Sequence, residues 1–240
     1  YPRHRQISIR DTIYLARAAQ QLGRTSIILL PEISLTPQIA GRFWSVFDEE
    51  VAIWHSRMTS AERSWTWRRI CAGKYSVVVG ARSAIFTPMK KVGLIVVDEE
   101  QEGSFKQENP APRYHARDVA LMRGKLSDAI TLLAGATPSM ESYYNQVTNK
   151  LNYIRLSSRY GDAVYPRVHL VDMNDERAVL EDYSIVLSRI LTEKIAERME
   201  RGEQVILLQN RRGFASVVTC VDCSEVEMCK HCQIVLTFHK

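Results

Sequence analysis

The sequence predicts an α/β domain built on a mostly parallel sheet with helices on both faces. Short runs of Val, Ile and Leu recur along the first part of the chain, and segments carrying helix-start signals lie between them. The runs are apolar throughout instead of alternating with polar residues, which is how strands covered on both faces read. Strand and helix in alternation predict the α/β class.

Taken in order, strands are expected at 25–32 (TSIILLPE), 51–56 (VAIWHS), 75–86 (YSVVVGARSAIF), 92–99 (VGLIVVDE) and 130–137 (ITLLAGAT). Thr59-Ser60-Ala61-Glu62 has the capping-box pattern and opens a helix through Cys71, which is expected to face the core. Thr137-Pro138 puts proline at a first helical position. Further on, 153–156 and 167–173 read as strands leading away from the first domain. A helix over 182–201, capped by Gly202, then precedes a strand over 203–210. That second start predicts another lobe that the chain barely begins.

At 240 residues the chain has room for one large domain, or one domain and part of another. Its 45% hydrophobic and 25% charged residues are those of an ordinary globular protein. No apolar run approaches the ~20 residues needed to span a bilayer, and no signal peptide opens the chain, so no membrane association is expected. The excess of 32 Lys+Arg over 27 Asp+Glu is compatible with a nucleic-acid partner and weak evidence for one. Four of the five cysteines fall within residues 220–240, a grouping that reads as metal ligands more than disulfides and favours the reducing cytoplasm.

The stretch VGLIVVDEEQEGSFKQ ends an apolar strand in Asp98-Glu99-Glu100. Adjacent carboxylates at such a place repel unless a cation lies between them. An Asp there is suited to holding Mg²⁺, and the next Glu to orienting a water that attacks a γ-phosphate. A strand running into an acidic, solvated loop is the plain alternative. In LLAGATPSMES, Gly135 and Thr137 follow a strand and suit a γ-phosphate sensor, or a simple strand-to-helix turn. PEISLTPQ and GARSAIF also follow strands, and the second offers Arg82 and Ser83 to phosphodiester oxygens.

Taken together, these pieces, with WHSRMTSAERSWTWRRI, RYHARDVALMRG and LLQNRRGFA, resemble the replication-restart DNA helicases, the primosomal N′ family of superfamily 2, from Ile13 onward. The resemblance implies two RecA-like lobes with a zinc module inserted in the second. It divides the chain into an unmatched segment (1–12), an ATP-binding lobe (13–150), a connection (151–181), the start of the second lobe (182–219) and part of the zinc module (220–240). It also implies ATP-driven 3′→5′ unwinding at forked DNA. The expected partners are forked and single-stranded DNA, other primosome proteins, single-stranded-DNA-binding protein and the loader of the replicative helicase.

By the same resemblance Asp98 and Glu99 are the magnesium and water pair, and Gln101 stands where the family usually has His. Residues 103–118 are similar to an aromatic-rich loop that senses single-stranded DNA. Phe105, Tyr114 and His115 offer rings for base stacking, and Lys106, Arg113 and Arg117 offer phosphate contacts. Core packing of the rings is the alternative. Cys220 with Cys223, and Cys229 with Cys232, form two C-x₂-C pairs that are zinc ligands by type. Only five residues separate the pairs, which favours each recruiting further ligands downstream. The family does this with eight cysteines in two sites; His231 and His239 are candidate substitutes.

The ATP phosphate loop is expected just before Ile13, yet residues 7–12 read ISIRDT, with isoleucine where glycine is needed, Arg10 for lysine and Asp11 for the hydroxyl. The chain is therefore expected to be a fragment lacking that loop and the end of the second lobe, with little ATP hydrolysis of its own. A non-catalytic DNA-binding remnant is the alternative, using Arg82, Lys106 and Arg117 on phosphates. A different superfamily 2 translocase is disfavoured by the cysteine pairs directly after NRRGFA.

Overall fold

The structure, a computed structural model, describes residues 9–156, 166–182, 185–208, 220, 223, 225–232 and 234–236. Residues divide into two compact units, Tyr1–Val164 and Tyr165–Lys240.

The first unit holds a five-stranded parallel sheet. Its strands are β1 (Thr25–Leu29), β2 (Val51–Trp54), β3 (Val77–Gly80), β4 (Val92–Asp98) and β7 (Ile130–Ala134), in spatial order β2-β3-β1-β4-β7. Every pairing is parallel, and Ile27 of β1 lies between Val78 of β3 and Ile95 of β4. Strand alternation sorts the apolar residues onto two faces. On one, Ile28, Val79 and Val96 pack with Ala16 of α1 (Ile9–Gln21) and with Phe43 and Phe47 of α2 (Pro37–Phe47). On the other, Ile27, Val78, Ile95 and Val97 pack with Ile70 of α3 (Ser60–Cys71) and with Ala116 and Ala120 of α4 (Ala116–Ser127). The runs at β1, β3 and β4 are thus strands covered on both sides, as their composition predicts, whereas β7 is only partly covered. β7 is an edge strand, with no partner on its outer side among the described residues.

Local signals set the boundaries. The capping box at α3 is complete: Thr59 Oγ1 accepts from the Glu62 amide, and the Glu62 carboxylate accepts from the Thr59 amide at 2.8 Å. The helix ends at Cys71 as expected, but Cys71 is exposed, because Thr66 and Ile70 form the buried stripe. Strands stop sooner than the apolar runs do. After Gly80 the chain turns into a 3₁₀ segment, Arg82–Phe86. Gly80 is required there, since a Cβ would collide with the Trp54 carbonyl oxygen and with Ala84. The helix after β7, α5 (Met140–Val147), starts later than Pro138 suggests: Ser139 is its N-cap, accepting from the Ser142 amide. A two-stranded antiparallel hairpin, β5 (Lys106–Gln107) with β6 (Tyr114–His115), precedes α4.

In the second unit, α6 (Met173–Leu180) and α7 (Arg189–Glu200) are helices, tied together by Glu176 accepting from the Arg189 amide at 3.0 Å. Gly202 follows α7 with φ +69, the left-handed conformation expected of it. The helix expected over 182–201 is shorter, and the strands expected at 153–156 and 167–173, and the described part (203–208) of the one expected at 203–210, are not formed. Those runs carry β-prone residues, but a strand needs a neighbour to take its hydrogen bonds. Among the described residues of this unit, Met228 bridges Val235, and Val226 is also a bridge residue. Residues 209–219, including NRRGFA, lie outside the described residues.

Candidate nucleotide and nucleic-acid site

The acidic triplet does not run into solvent. Asp98 is the last residue of β4, and Glu99 takes a positive φ of 51°, so the chain reverses between them. The Glu99 amide donates to Asp98 Oδ1 at 3.1 Å, and the Glu100 amide donates to the Ala134 carbonyl at 3.0 Å, holding the turn against β7. Asp98 and Glu99 are both half-buried. Burial first, and then the Glu99 charge, push the Asp98 carboxyl up to about 6. No basic side chain pairs with Asp98 among the described residues. A desolvated carboxylate next to a second acid is a place where a hard cation relieves a standing electrostatic cost. The donor set is therefore one that fits Mg²⁺.

Gln101 joins this turn to the loop after β7. Its amide donates to Glu99 Oε2 at 2.8 Å, while its carbonyl oxygen lies where a side chain at Gly135 would come within 2.5 Å. Gly135 thus leaves room for the Gln101 side chain between the two loops. Thr137, two residues on, is exposed.

The third acid faces the other way. Glu100 is 2% exposed and accepts from the Ser139 amide at 2.7 Å, from Ser139 Oγ and Ser142 Oγ at 3.0 Å each, and from Arg117 Nη1 at 3.4 Å. It is the counter-charge to the α5 N-terminus. Arg117 also donates to Ser139 Oγ at 2.7 Å and to Asp118 at 3.0 Å, and pairs with Glu141. This corrects the expectation that Arg117 meets phosphate: its guanidinium is buried and committed to three carboxylates. Sequence reasoning passed over Glu100, Ser139 and Ser142. The available signal was Ser139-x-x-Ser142 at a helix start, which creates amide and hydroxyl donors in want of a buried acceptor.

The other expected DNA contacts separate by exposure. Phe105 is 1% exposed and belongs to the core with Ile95, Val97 and Ala116, so it is not a stacking platform. Tyr114 is half-buried, edge-on to Phe86 at 4.9 Å. His115 is the N-cap of α4, its Nδ1 accepting from the Arg117 amide at 3.3 Å. Burial, then the Arg117 charge, hold its imidazole below the ordinary pKa, in keeping with a neutral acceptor. Arg82 donates to the Lys106 carbonyl at 2.8 Å, and its guanidinium lies 5.8 Å from the Tyr114 ring centre. That bond fixes the hairpin to the end of β3, leaving Ser83 and Lys106 exposed. A cleft of about 810 Å³ beside the hairpin is lined by Gln101, Lys106, Gln107, Arg113, His115 and Arg117, with Glu108, Asp118 and Glu141 also on its wall; Asp98 and Glu99 do not line it.

The Cys220 amide donates to the Glu225 carbonyl and the Cys229 amide to the Ile234 carbonyl, each at 2.8 Å. The backbone amides of His231 and Cys232, followed by the Cys232 thiol, hold the Cys229 thiol below its ordinary pKa. Among the described residues, no three His, Cys, Asp or Glu side chains converge to hold a metal ion.

A family model for the DEAD/DEAH box helicases matches residues 7–145, spanning the parallel sheet, the acidic turn and the loop that carries Gly135. The chain belongs to the DEAD/DEAH box helicase family. The match begins within the segment that the sequence reading leaves unassigned. Curated relatives give a narrower likeness. The chain is 44% identical to replication restart protein PriA of Chlamydia pneumoniae over 96% of its own length and 31% of that protein. It is 41% identical to the Bacillus subtilis protein of the same name over 96% of its length and 29% of that protein. The Haemophilus influenzae PriA is 37% identical, again over 96% of this chain and 31% of the relative. The chain therefore spans about a third of the length of the relatives it matches. The sheet that the family model spans is parallel, with helices packed on it, and no described helix is long and apolar enough to cross a membrane.

Proposed function

We propose that this chain is the motor lobe of an ATP-driven DNA helicase acting in replication restart. The observation that carries the reading is the pairing of a desolvated Asp98 with Glu99 at the carboxyl end of β4, linked through Gln101 to Gly135. In this reading Asp98 and Glu99 hold Mg²⁺, and Gly135 and Thr137 lie at the γ-phosphate. Bound magnesium supplies charge neutralisation on the phosphates. Glu99, held at 2.8 Å by Gln101, orients a water and takes its proton. Arg82, Ser83 and Lys106 then meet the backbone of single-stranded DNA.

Similarity to the replication restart proteins supports the wider assignment. It comprises 3′→5′ movement on forked DNA in the cytoplasm, and other primosome proteins, single-stranded-DNA-binding protein and a replicative-helicase loader as partners. Zinc at Cys220, Cys223, Cys229 and Cys232 belongs to this reading only with further ligands to complete each pair.

A second reading is a non-catalytic DNA-binding scaffold. It is favoured by Ile9–Thr12, which form the first turn of α1 with Thr12 buried, so the described residues offer no glycine-rich phosphate cradle there. Nucleotide binding separates the two. Micromolar affinity for ATP·Mg²⁺, with DNA-stimulated turnover that Asp98→Ala abolishes, is expected of the motor. DNA binding that ATP leaves unchanged, with no turnover, would establish the scaffold instead.

A further inference from the structure

A second surface lies beside Ser83, on α3. Trp54, at the end of β2, and Trp67 of α3 pack with ring centres 5.8 Å apart; Trp54 is buried and Trp67 is 39% exposed. The Arg63 guanidinium stands 5.7 Å from the Trp54 ring centre. Among the described residues, Arg68, five residues further along α3, donates only to Ser64 Oγ and the Ser64 carbonyl, at 3.4 and 3.3 Å. With Ser60 and Ser64 these side chains line a groove of about 460 Å³.

Charge is what makes the groove unusual. No carboxylate pairs with either guanidinium among the described residues. Glu62, the acidic residue of α3, is turned back onto Thr59 as the capping-box acceptor. Arg57, Arg69 and Lys74 add further positive charge near by in sequence, and Arg69 lies 4.7 Å from the Trp65 ring centre. Like charges gathered on one short helix cost stability unless an anion joins them. An aromatic wall with two guanidinium forks fits a base and its phosphates, since every base offers a π-face and Arg reads phosphate oxygens through paired N–H groups. The groove is also contiguous with the expected DNA path: Trp54 Nε1 donates to Ser83 Oγ at 3.1 Å.

We propose that the groove between Trp54 and α3 binds single-stranded nucleic acid running on from Ser83, with phosphates at Arg63 and Arg68 and a base against Trp67. This extends the nucleic-acid reading above and rests on it. An acidic peptide would also satisfy the two arginines, but the contact with Ser83 joins the groove to a surface already suited to phosphodiesters.

The test is a salt series of oligo(dT) titrations on the 240-residue chain, followed by tryptophan fluorescence. Arg63→Gln/Arg68→Gln should weaken binding at least about tenfold and reduce the salt slope by about 1.4, from two lost single-strand phosphate contacts. The Lys/Lys pair should keep the wild-type slope. Trp67→Leu should lose quenching and about tenfold in affinity. Both arginines are exposed, so circular dichroism should show an unchanged fold. Wild-type affinity and slope in the Gln/Gln variant would overturn the proposal. If, in addition, Arg82→Gln/Lys106→Gln weakens binding, the nucleic-acid reading stands without the groove; if the wild-type chain binds no oligo(dT), both fall. Groove variants that lose a poly-Glu peptide while keeping oligo(dT) would assign the surface to a peptide and overturn the proposal.

Discussion

Glu100 accepts the Ser139 amide at 2.7 Å while Arg117 reaches the same carboxylate at 3.4 Å, so one buried acid joins the end of β4 to the starts of α4 and α5. Removing Arg117 leaves Glu100 buried without its counter-charge, and such a break costs about 3–5 kcal/mol. Arg117→Ala should therefore lower the urea midpoint strongly. Glu100→Gln keeps an acceptor for Ser139 and should cost less. Equal losses in the two variants would show that leaving Glu100 charged and unpaired costs no more than neutralising it.

Asp98 gives the chain a pH signature. Its pKa, raised to about 6 by burial and by Glu99, lies above the value in the unfolded chain. The native state then holds a proton that the unfolded state has released, so stability falls as pH rises from about 4 through 6. Asp98→Asn mimics the protonated form. It should raise the melting temperature above pH 7 and leave it unchanged near pH 4. Added Mg²⁺ at pH 7.5 should stabilise the wild type and not the variant. A variant less stable than wild type at pH 8 would mean that Asp98 has a partner in the fold that outweighs its desolvation.

Phe105 and Lys106 are neighbours with opposite duties. Phe105→Ala empties a core position and should cost about 3–5 kcal/mol in urea unfolding. Lys106→Gln, on an exposed side chain, should change stability by no more than about 0.5 kcal/mol while weakening oligo(dT) binding and its salt slope. Loss of DNA affinity in Phe105→Ala at full stability would return that ring to the surface.

These neighbours show where the sequence stops being legible. β1, β3 and β4 could be read because they are buried on both faces, and burial on both faces leaves a continuous apolar run. Thr59 and Glu62 could be read because a capping box is a local exchange of hydrogen bonds. Phe105 and Arg117 could not. An aromatic and an arginine in a loop have the same composition whether they meet a base and a phosphate or a core and a carboxylate. What decides is the position of Ile95 and Ala116 for the one and Glu100 for the other. The run at 203–208 failed for the converse reason. Its residues favour a strand, yet Ile206 and Leu208 are almost fully exposed and no neighbouring strand is described to pair with them.

Gly135 tests the link between the two loops. Its φ is not in the left-handed region, so alanine there introduces no backbone strain, and the effect is steric. The new Cβ would come within 2.5 Å of Gln101 Oε1, closer than real Cβ contacts allow. Gln101 is a flexible side chain and gives way, losing its 2.8 Å bond to Glu99. Stability should change little, because the displaced group is a side-chain terminus and not packed backbone. Positioning of Glu99 should suffer, and a small misplacement of a catalytic group lowers turnover about ten- to a hundredfold. Gln101→Ala removes the same bond and should match that loss. The double variant should be no worse than either single one, since both act through one contact. Additive losses in DNA-stimulated ATP turnover would show that Gly135 acts on the nucleotide directly, independently of Gln101.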